Sequence, residues 1–182
     1  MTDLPAKFLS TSQTLGIAET PEIVWISVVE QKLRLFVGHV LSAEYGVSTA
    51  KNGLGCRRDS YQTPVGLHRI AQKIGGGQPL GMVFKERMPT TLHAPPFAKA
   101  SEARSTLHED LILTRILWLE GLQPDVNQGG VVDTFSRYIY IHGTNHEDCI
   151  GQPASRGCIR MRNADVTTLF EAVELGSLVW IG

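Results

Sequence analysis

This chain has three cysteines in 182 residues, Cys56, Cys149 and Cys158. An odd and small number is no disulfide framework, and reduced thiols suit a cytosolic setting. No apolar run approaches the roughly 20 residues that span a bilayer. The first such run, residues 23–29, is broken by Ser27 and followed by charge, so it reads as a strand. Residues 1–19 carry Asp3, Lys7 and Glu19 and lack the apolar stretch of a secretory leader. That points to a cytoplasmic protein, or to a periplasmic one whose leader has been removed. Lys and Arg nowhere cluster among aromatics, and the net charge is -1, which argues against nucleic acid or an anionic membrane as partner.

What is present is globular. Hydrophobic residues make up 42% and charged residues 19%, enough for one domain with a sizeable core. Residues 1–21 read as a loosely ordered lead-in and 22–182 as a single domain. Segments 23–30, 32–37 and 39–44 are rich in Val, Ile and aromatics and read as short strands, with turns at Gln31 and Lys32 and at Gly38 and His39. Further strands are expected at 67–71, 82–84, 112–119, 138–141 and 177–181. The glycines of 75–77 and the prolines of 89–96 mark loops, and 97–110 has room for one short helix. Near the end, Asn163 is a candidate cap, Asp165 falls in a first turn, and Val166, Leu169, Phe170 and Val173 form an apolar stripe that Gly176 stops. The expected fold is mainly β with minor helix: a sandwich of mixed sheets with one C-terminal helix.

The chemistry concentrates in the run Tyr140-Ile-His-Gly-Thr144 and in Ser155-Arg-Gly-Cys-Ile-Arg-Met161. A strand period of two puts Tyr138, Tyr140 and His142 on one face and Ile139 and Ile141 on the core side. Gly143 lets the chain turn at once, leaving the imidazole at a strand end. A thiol reacts as thiolate, and a neighbouring imidazole can take its proton, so Cys158 and His142 form a nucleophile–base pair. Gly157 permits close approach of a substrate and can aim backbone N–H groups of Gly157 and Cys158 at an oxyanion. The dipole of the following helix would favour thiolate if it pointed at the sulfur. Arg160 shares the cysteine's face and either clamps a carboxylate or pairs with a structural acid. Arg156 and Arg162 alternate with it as a positive rim suited to acidic peptides, or as plain solvated surface.

Two other chemistries fit less well. His142, His146, Cys149 and Cys158 offer four metal ligands, but their spacing matches no familiar zinc site and there is no paired Cys-x-x-Cys. His146 and Cys149 read better as loop residues, and no metal or cofactor is expected. Papain-like enzymes place cysteine before histidine, the reverse of the order here, and caspases space the pair much further apart.

The run His142-Gly-Thr144 with Ser155-Arg-Gly-Cys-Ile-Arg160 resembles the signature of the L,D-transpeptidase catalytic domain, the YkuD type. Thr63-Pro-Val-Gly66, followed by Ile70, is similar to that family's Thr-Pro-x-Gly segment, and Ser48, Thr49, Lys51, Asn52 and Gly53 resemble the region before it. The resemblance covers about residues 22–182. It implies a cysteine acyltransferase that cuts peptidoglycan stem peptides between the third-position diamino acid and the terminal D-alanine, through a thioester on Cys158. His142 would be the base and then the acid, oriented by the Gly143 carbonyl, with Gly157 and Cys158 backbone as oxyanion hole. Arg160, Tyr140, Ser155 and Arg156 would contact substrate. Arg156 stands where many members carry histidine. His68 stands where an aromatic is common and is expected in the core or at the surface. Water as acceptor would make an L,D-carboxypeptidase of muropeptide recycling, the expectation here because no leader or anchor is seen. An amine acceptor would make a transpeptidase, and a silent wall-binding module is a third reading. The resemblance also implies covalent inhibition by a carbapenem.

Overall fold

The computed structural model describes residues 3–94 and 110–182. Ten strands form one mixed sheet: β1 Glu22–Ser27, β2 Lys32–Val37, β3 Val40–Gly46, β4 Gly66–Ile74, β5 Met82–Lys85, β6 Met88–His93, β7 Ile112–Gly121, β8 Tyr140–Gly143, β9 Ile159–Met161 and β10 Leu178–Ile181. Among the described residues there are two α-helices, α1 Ala6–Leu15 and α2 Asn163–Ala172. The strand order is β3-β2-β1-β10-β4-β7-β5-β6, and β8 branches from β7 to pair with β9. The β1–β10 and β8–β9 pairs are parallel.

The fold is mainly β with a mixed sheet, as the sequence indicates. Hydrogen bonds link all ten strands, with β8 and β9 as a branch off the main path. The path curls so that Val24 and Ile26 of β1 share a core with Ile141 of β8, Ile159 and Met161 of β9, and Val166, Leu169 and Phe170 of α2. The opposite faces of β1 and β10 are not left to solvent. Ile23, Leu178 and Trp180 pack with Leu4 and Phe8 of the N-terminal segment.

That second core explains a correction. Residues 1–21 are not merely a lead-in, because 6–15 form α1. Its sequence is full of Ser and Thr, poor helix formers, and Ser12 and Thr14 hydroxyls bond back to the Phe8 and Ser10 carbonyls. Fully burying Phe8 edge-on against Trp180 contributes about 1.5–3 kcal/mol, and Gly16 in the left-handed region closes the end. A second correction is β6, which falls where the prolines of 89–96 mark a loop. Among the described residues it pairs only with β5, and an edge strand tolerates a proline such as Pro89. Glu86 and Arg87 make the two-residue turn, both at positive φ. The short helix expected in 97–110 falls in residues outside those described.

Helix α2 appears where the apolar stripe placed it, but its ends differ. Arg162, not Asn163, is the cap position, and no side chain of the helix caps it. Instead the Glu147 carboxylate accepts the Asn163 N–H at 2.7 Å. The helix ends at Ala172, and Gly176 serves the turn before β10, donating its N–H to Ile70. Among the described residues no helix is long and apolar enough to cross a membrane.

Candidate active site

β8 and β9 bring the two signature runs together. They run parallel with Ile141 opposite Ile159 and His142 opposite Arg160. Paired residues point the same way and alternate along each strand, so His142 and Arg160 share one face. Cys158, one residue ahead of β9, continues that face, and the Tyr140 N–H donates to its Sγ at 3.5 Å. Ile139, Ile141, Ile159 and Met161 take the other face, into the main core. Tyr138 does not follow the alternation. It lies before β8 with φ +57, and its carbonyl accepts the thiol proton of Cys158 at 3.5 Å.

His142 is buried, and its Nδ1 lies 2.7 Å from the Gly143 carbonyl. A carbonyl only accepts, so Nδ1 carries the proton and Nε2 presents its lone pair. Nε2 makes no hydrogen bond among the described residues. Gly143 has no room for a side chain: a Cβ there would lie 2.3 Å from Asn163 Oδ1 and 2.8 Å from the Leu113 carbonyl. Asn163 takes the Thr114 hydroxyl at 2.6 Å and donates to the Thr144 carbonyl at 2.9 Å. The start of α2 thus holds the carbonyl strand that orients the imidazole.

Burial holds the His142 imidazole below its ordinary value. The Gly143 carbonyl and Asp110 work against that shift, and Arg160 adds to it. Burial also pushes the Cys158 thiol up to about 11; the Tyr140 N–H, Arg160 and Arg137 oppose this, while Asp110 reinforces it. Both shifts favour uncharged forms, so the resting pair is thiol and neutral imidazole rather than thiolate and imidazolium. At the start of α2 the first N–H is taken by the Glu147 carboxylate.

The loop before the cysteine is fastened from several sides. The Ser155 hydroxyl donates to the Cys158 carbonyl at 2.6 Å and accepts the Gly157 N–H at 3.2 Å. Ser155 is buried and frames the loop, and the Gly157 N–H is already engaged. Thr63 of the Thr-Pro-Val-Gly segment donates to the Gly157 carbonyl at 3.0 Å and accepts the Ala50 N–H at 2.9 Å. Ser48 exchanges backbone bonds with Arg160, and Thr49 accepts from Ala154 and Ser155. Gln31 clamps Thr49 through both ends of its amide. In the sequence these residues stand out only as motif fragments, or in the case of Gln31 as a turn residue with no link to the site.

The other candidates separate. Of the two readings of Arg160, the structure shows the pairing with an acid: it is buried and ion-paired to Asp110. Asp110 lies fifty positions away and carried no sequence signal. Tyr140 is buried edge-on against Trp118, with its hydroxyl 3.5 Å from Arg87, so it forms the wall of the site. His68 is in the core, bonded through Nδ1 to the Gly66 carbonyl and through Nε2 to the Thr134 hydroxyl, and burial lowers it to about 4. Cys149 ends a short helical turn, Glu147–Cys149, that His146 precedes. Among the described residues no group of three or more His, Cys, Asp or Glu gathers as for a metal ion. Arg162 is exposed, and so is Arg156. Arg156 lines a cavity of about 540 Å³ together with Arg58, Arg137, Asp59, Tyr61 and Tyr138.

The chain is similar to known proteins in sequence and in fold. The model of the family described as the L,D-transpeptidase catalytic domain, YkuD, matches residues 21–181. Putative L,D-transpeptidase YqjB of Bacillus subtilis is 39% identical over 69 residues, 35% of this chain and 39% of that protein. Putative L,D-transpeptidase YkuD of Bacillus licheniformis is 54% identical over 41 residues, 22% of this chain and 25% of that one. Among solved structures, the L,D-transpeptidase LdtMt1 in complex with imipenem matches with a TM-score of 0.52 at 15% identity, over 89% of this chain and 59% of that chain. L,D-transpeptidase 3 from Mycobacterium tuberculosis gives 0.53 at 14% identity, over 89% and 61%. The chain therefore spans less than two thirds of each of these relatives, and at such identities the two structures speak for the fold.

Proposed function

The chain belongs to the L,D-transpeptidase catalytic-domain family, and on that premise we propose that it is a cysteine acyltransferase of peptidoglycan stem peptides. The observation that carries the proposal is the shared face of His142 and Cys158, with the imidazole tautomer set by the Gly143 carbonyl. Cys158 Sγ attacks the carbonyl between the third-position diamino acid and the terminal D-alanine. As the S–C bond forms, His142 Nε2 takes the thiol proton, because the resting thiol is neutral. Charge gathers on the carbonyl oxygen and is met by the backbone N–H of Cys158. The Gly157 N–H joins only if it leaves the Ser155 hydroxyl. Collapse breaks the C–N bond, and the imidazolium returns its proton to the departing D-alanine amine. A thioester remains on Cys158.

The acceptor for that thioester is the second half of the proposal. The names of the relatives support an amine, giving transfer to a second stem. Hydrolysis, the expectation from the sequence, draws on the same acyl-enzyme, with His142 deprotonating water in place of the amine. One incubation with tetrapeptide muropeptide, read by mass spectrometry, tests all of it. Loss of one D-alanine marks hydrolysis, and a dimer or an exchanged terminal D-amino acid marks transfer. Unchanged substrate would overturn both. The imipenem complex of a fold relative supports a companion test: a carbapenem adds its mass to the protein, and Cys158→Ala abolishes the addition.

A further inference from the structure

The cavity beside the thiol is built from unpaired arginines. Its lining includes Arg58, Arg137 and Arg156 against one acid, Asp59. Among the described residues none of the three arginines forms an ion pair, whereas Arg34, Arg69 and Arg160 each have a carboxylate partner. Arg58 donates to the Ser136 hydroxyl at 3.0 Å, and Asp133 behind that serine accepts the Ser136 N–H. Arg137 is half-buried, and among the described residues it donates to the Gly55 and Gln62 carbonyls, at 3.2 and 2.6 Å. Burial holds its guanidinium below the ordinary value, and Asp59 is among the groups that oppose this. Desolvation of a cation that has no ion pair is costly, and a bound anion would offset that cost.

The cavity also adjoins the chemistry. Tyr138 and Ile139 line it, the Tyr138 carbonyl holds the Cys158 thiol, and Ile139 Cδ1 would meet a Cβ at Gly157 at 3.2 Å. Three non-glycine residues of its rim, Asp59, Tyr61 and Tyr138, have positive φ, a backbone cost that clusters at functional sites. A volume of about 540 Å³ is within the range of ligand sites. Arg160, which the sequence offered as a carboxylate clamp, is already neutralised by Asp110, so the cationic anchoring falls to this group.

We propose that the cavity is a carboxylate-anchoring subsite: it holds a free side-chain carboxylate of the stem whose L,D bond is presented to Cys158, and so selects acidic over amidated stems. The inference rests on the acyltransferase reading for its choice of ligand. Carboxylates match the paired N–H donors of guanidinium groups, and an amide in the same place loses both the charge and half of the acceptors.

Binding is measured on the full chain carrying Cys158→Ala, by calorimetry, with two synthetic tetrapeptide stems that differ only in whether the side-chain carboxylates are free or amidated. The free stem is expected to bind at least about tenfold tighter, and Arg58→Gln with Arg156→Gln to shrink that ratio to about twofold or less. Both positions are exposed, so the fold should survive; unchanged thermal unfolding checks this, and Arg156→Gln alone serves if the pair does not fold. Equal binding of the two stems, no binding of either, or a ratio untouched by a folded arginine variant overturns the subsite. Turnover is read separately on the unaltered protein. If no D-alanine is released while the binding ratio holds, the acyltransferase reading fails and the subsite stands.

Discussion

β4 and β8 each bury a histidine near one end, and the two differ at a single ring nitrogen. His68 on β4 and His142 on β8 are both buried, both give Nδ1 to a nearby backbone carbonyl, and both are held below the ordinary imidazole value by burial. His68 spends its second nitrogen on Thr134. His142 keeps Nε2 free of hydrogen bonds among the described residues and shares a face with Cys158. Burial and a shifted proton affinity are therefore common to both rings, and the unspent acceptor is what sets His142 apart.

The largest effect should come from removing that acceptor. His142→Ala is expected to slow acyl-enzyme formation about 10²- to 10⁴-fold, and Cys158→Ala to abolish it, both read by intact mass after incubation with tetrapeptide or carbapenem. His68→Phe should keep the acylation rate of whatever fraction folds, so a folded His68 variant without acylation would break the contrast. Next is the charge state of the pair. With the thiol pushed up to about 11, iodoacetamide alkylation of Cys158 should rise about tenfold per pH unit from 7 to 10 without a plateau. A plateau near pH 6 would instead mean a preformed thiolate.

His68 should dominate the acid side of stability. Its folded value of about 4 lies below the ordinary 6.5, so the unfolded chain binds a proton first as pH falls. The contribution is whole above pH 6.5 and lost as pH falls through 4, about 3 kcal/mol in all. His142 works in the same direction. Denaturant unfolding between pH 4 and 7 checks this, and a slope that His68→Phe leaves unchanged would remove His68 from the account. The smallest effect tests the spent nitrogen directly. Thr134→Val should cost about 1–3 kcal/mol by leaving Nε2 of His68 without a donor, with acylation unaffected.

Much of the frame was legible because it depends on local periodicity. The strand expected at 32–37 is β2 itself, and the apolar stripe of α2 is the one that packs. Misreadings arose where tertiary burial outweighed local preference, as in α1, or where a strand lay at an edge and tolerated proline, as in β6. At the site, the signature runs were legible but their contacts were not. Ser155 bonds within its own loop, and Arg160 pairs with Asp110. Asn163, a candidate helix cap by sequence, bonds instead to the Thr144 carbonyl behind His142.

By itself the sequence determined the mainly β class and the family resemblance and singled out His142 and Cys158 as the candidate pair, because these follow from short-range order: which residue types occur, at which spacing, with which alternation. Only the tertiary structure decided which charges are spent. Ion pairs and buried hydrogen bonds join residues dozens of positions apart, and no local pattern records them. Asp110 neutralises Arg160 and Thr134 occupies His68, while Arg58, Arg137 and Arg156 are left around the cavity beside the thiol without ion pairs among the described residues.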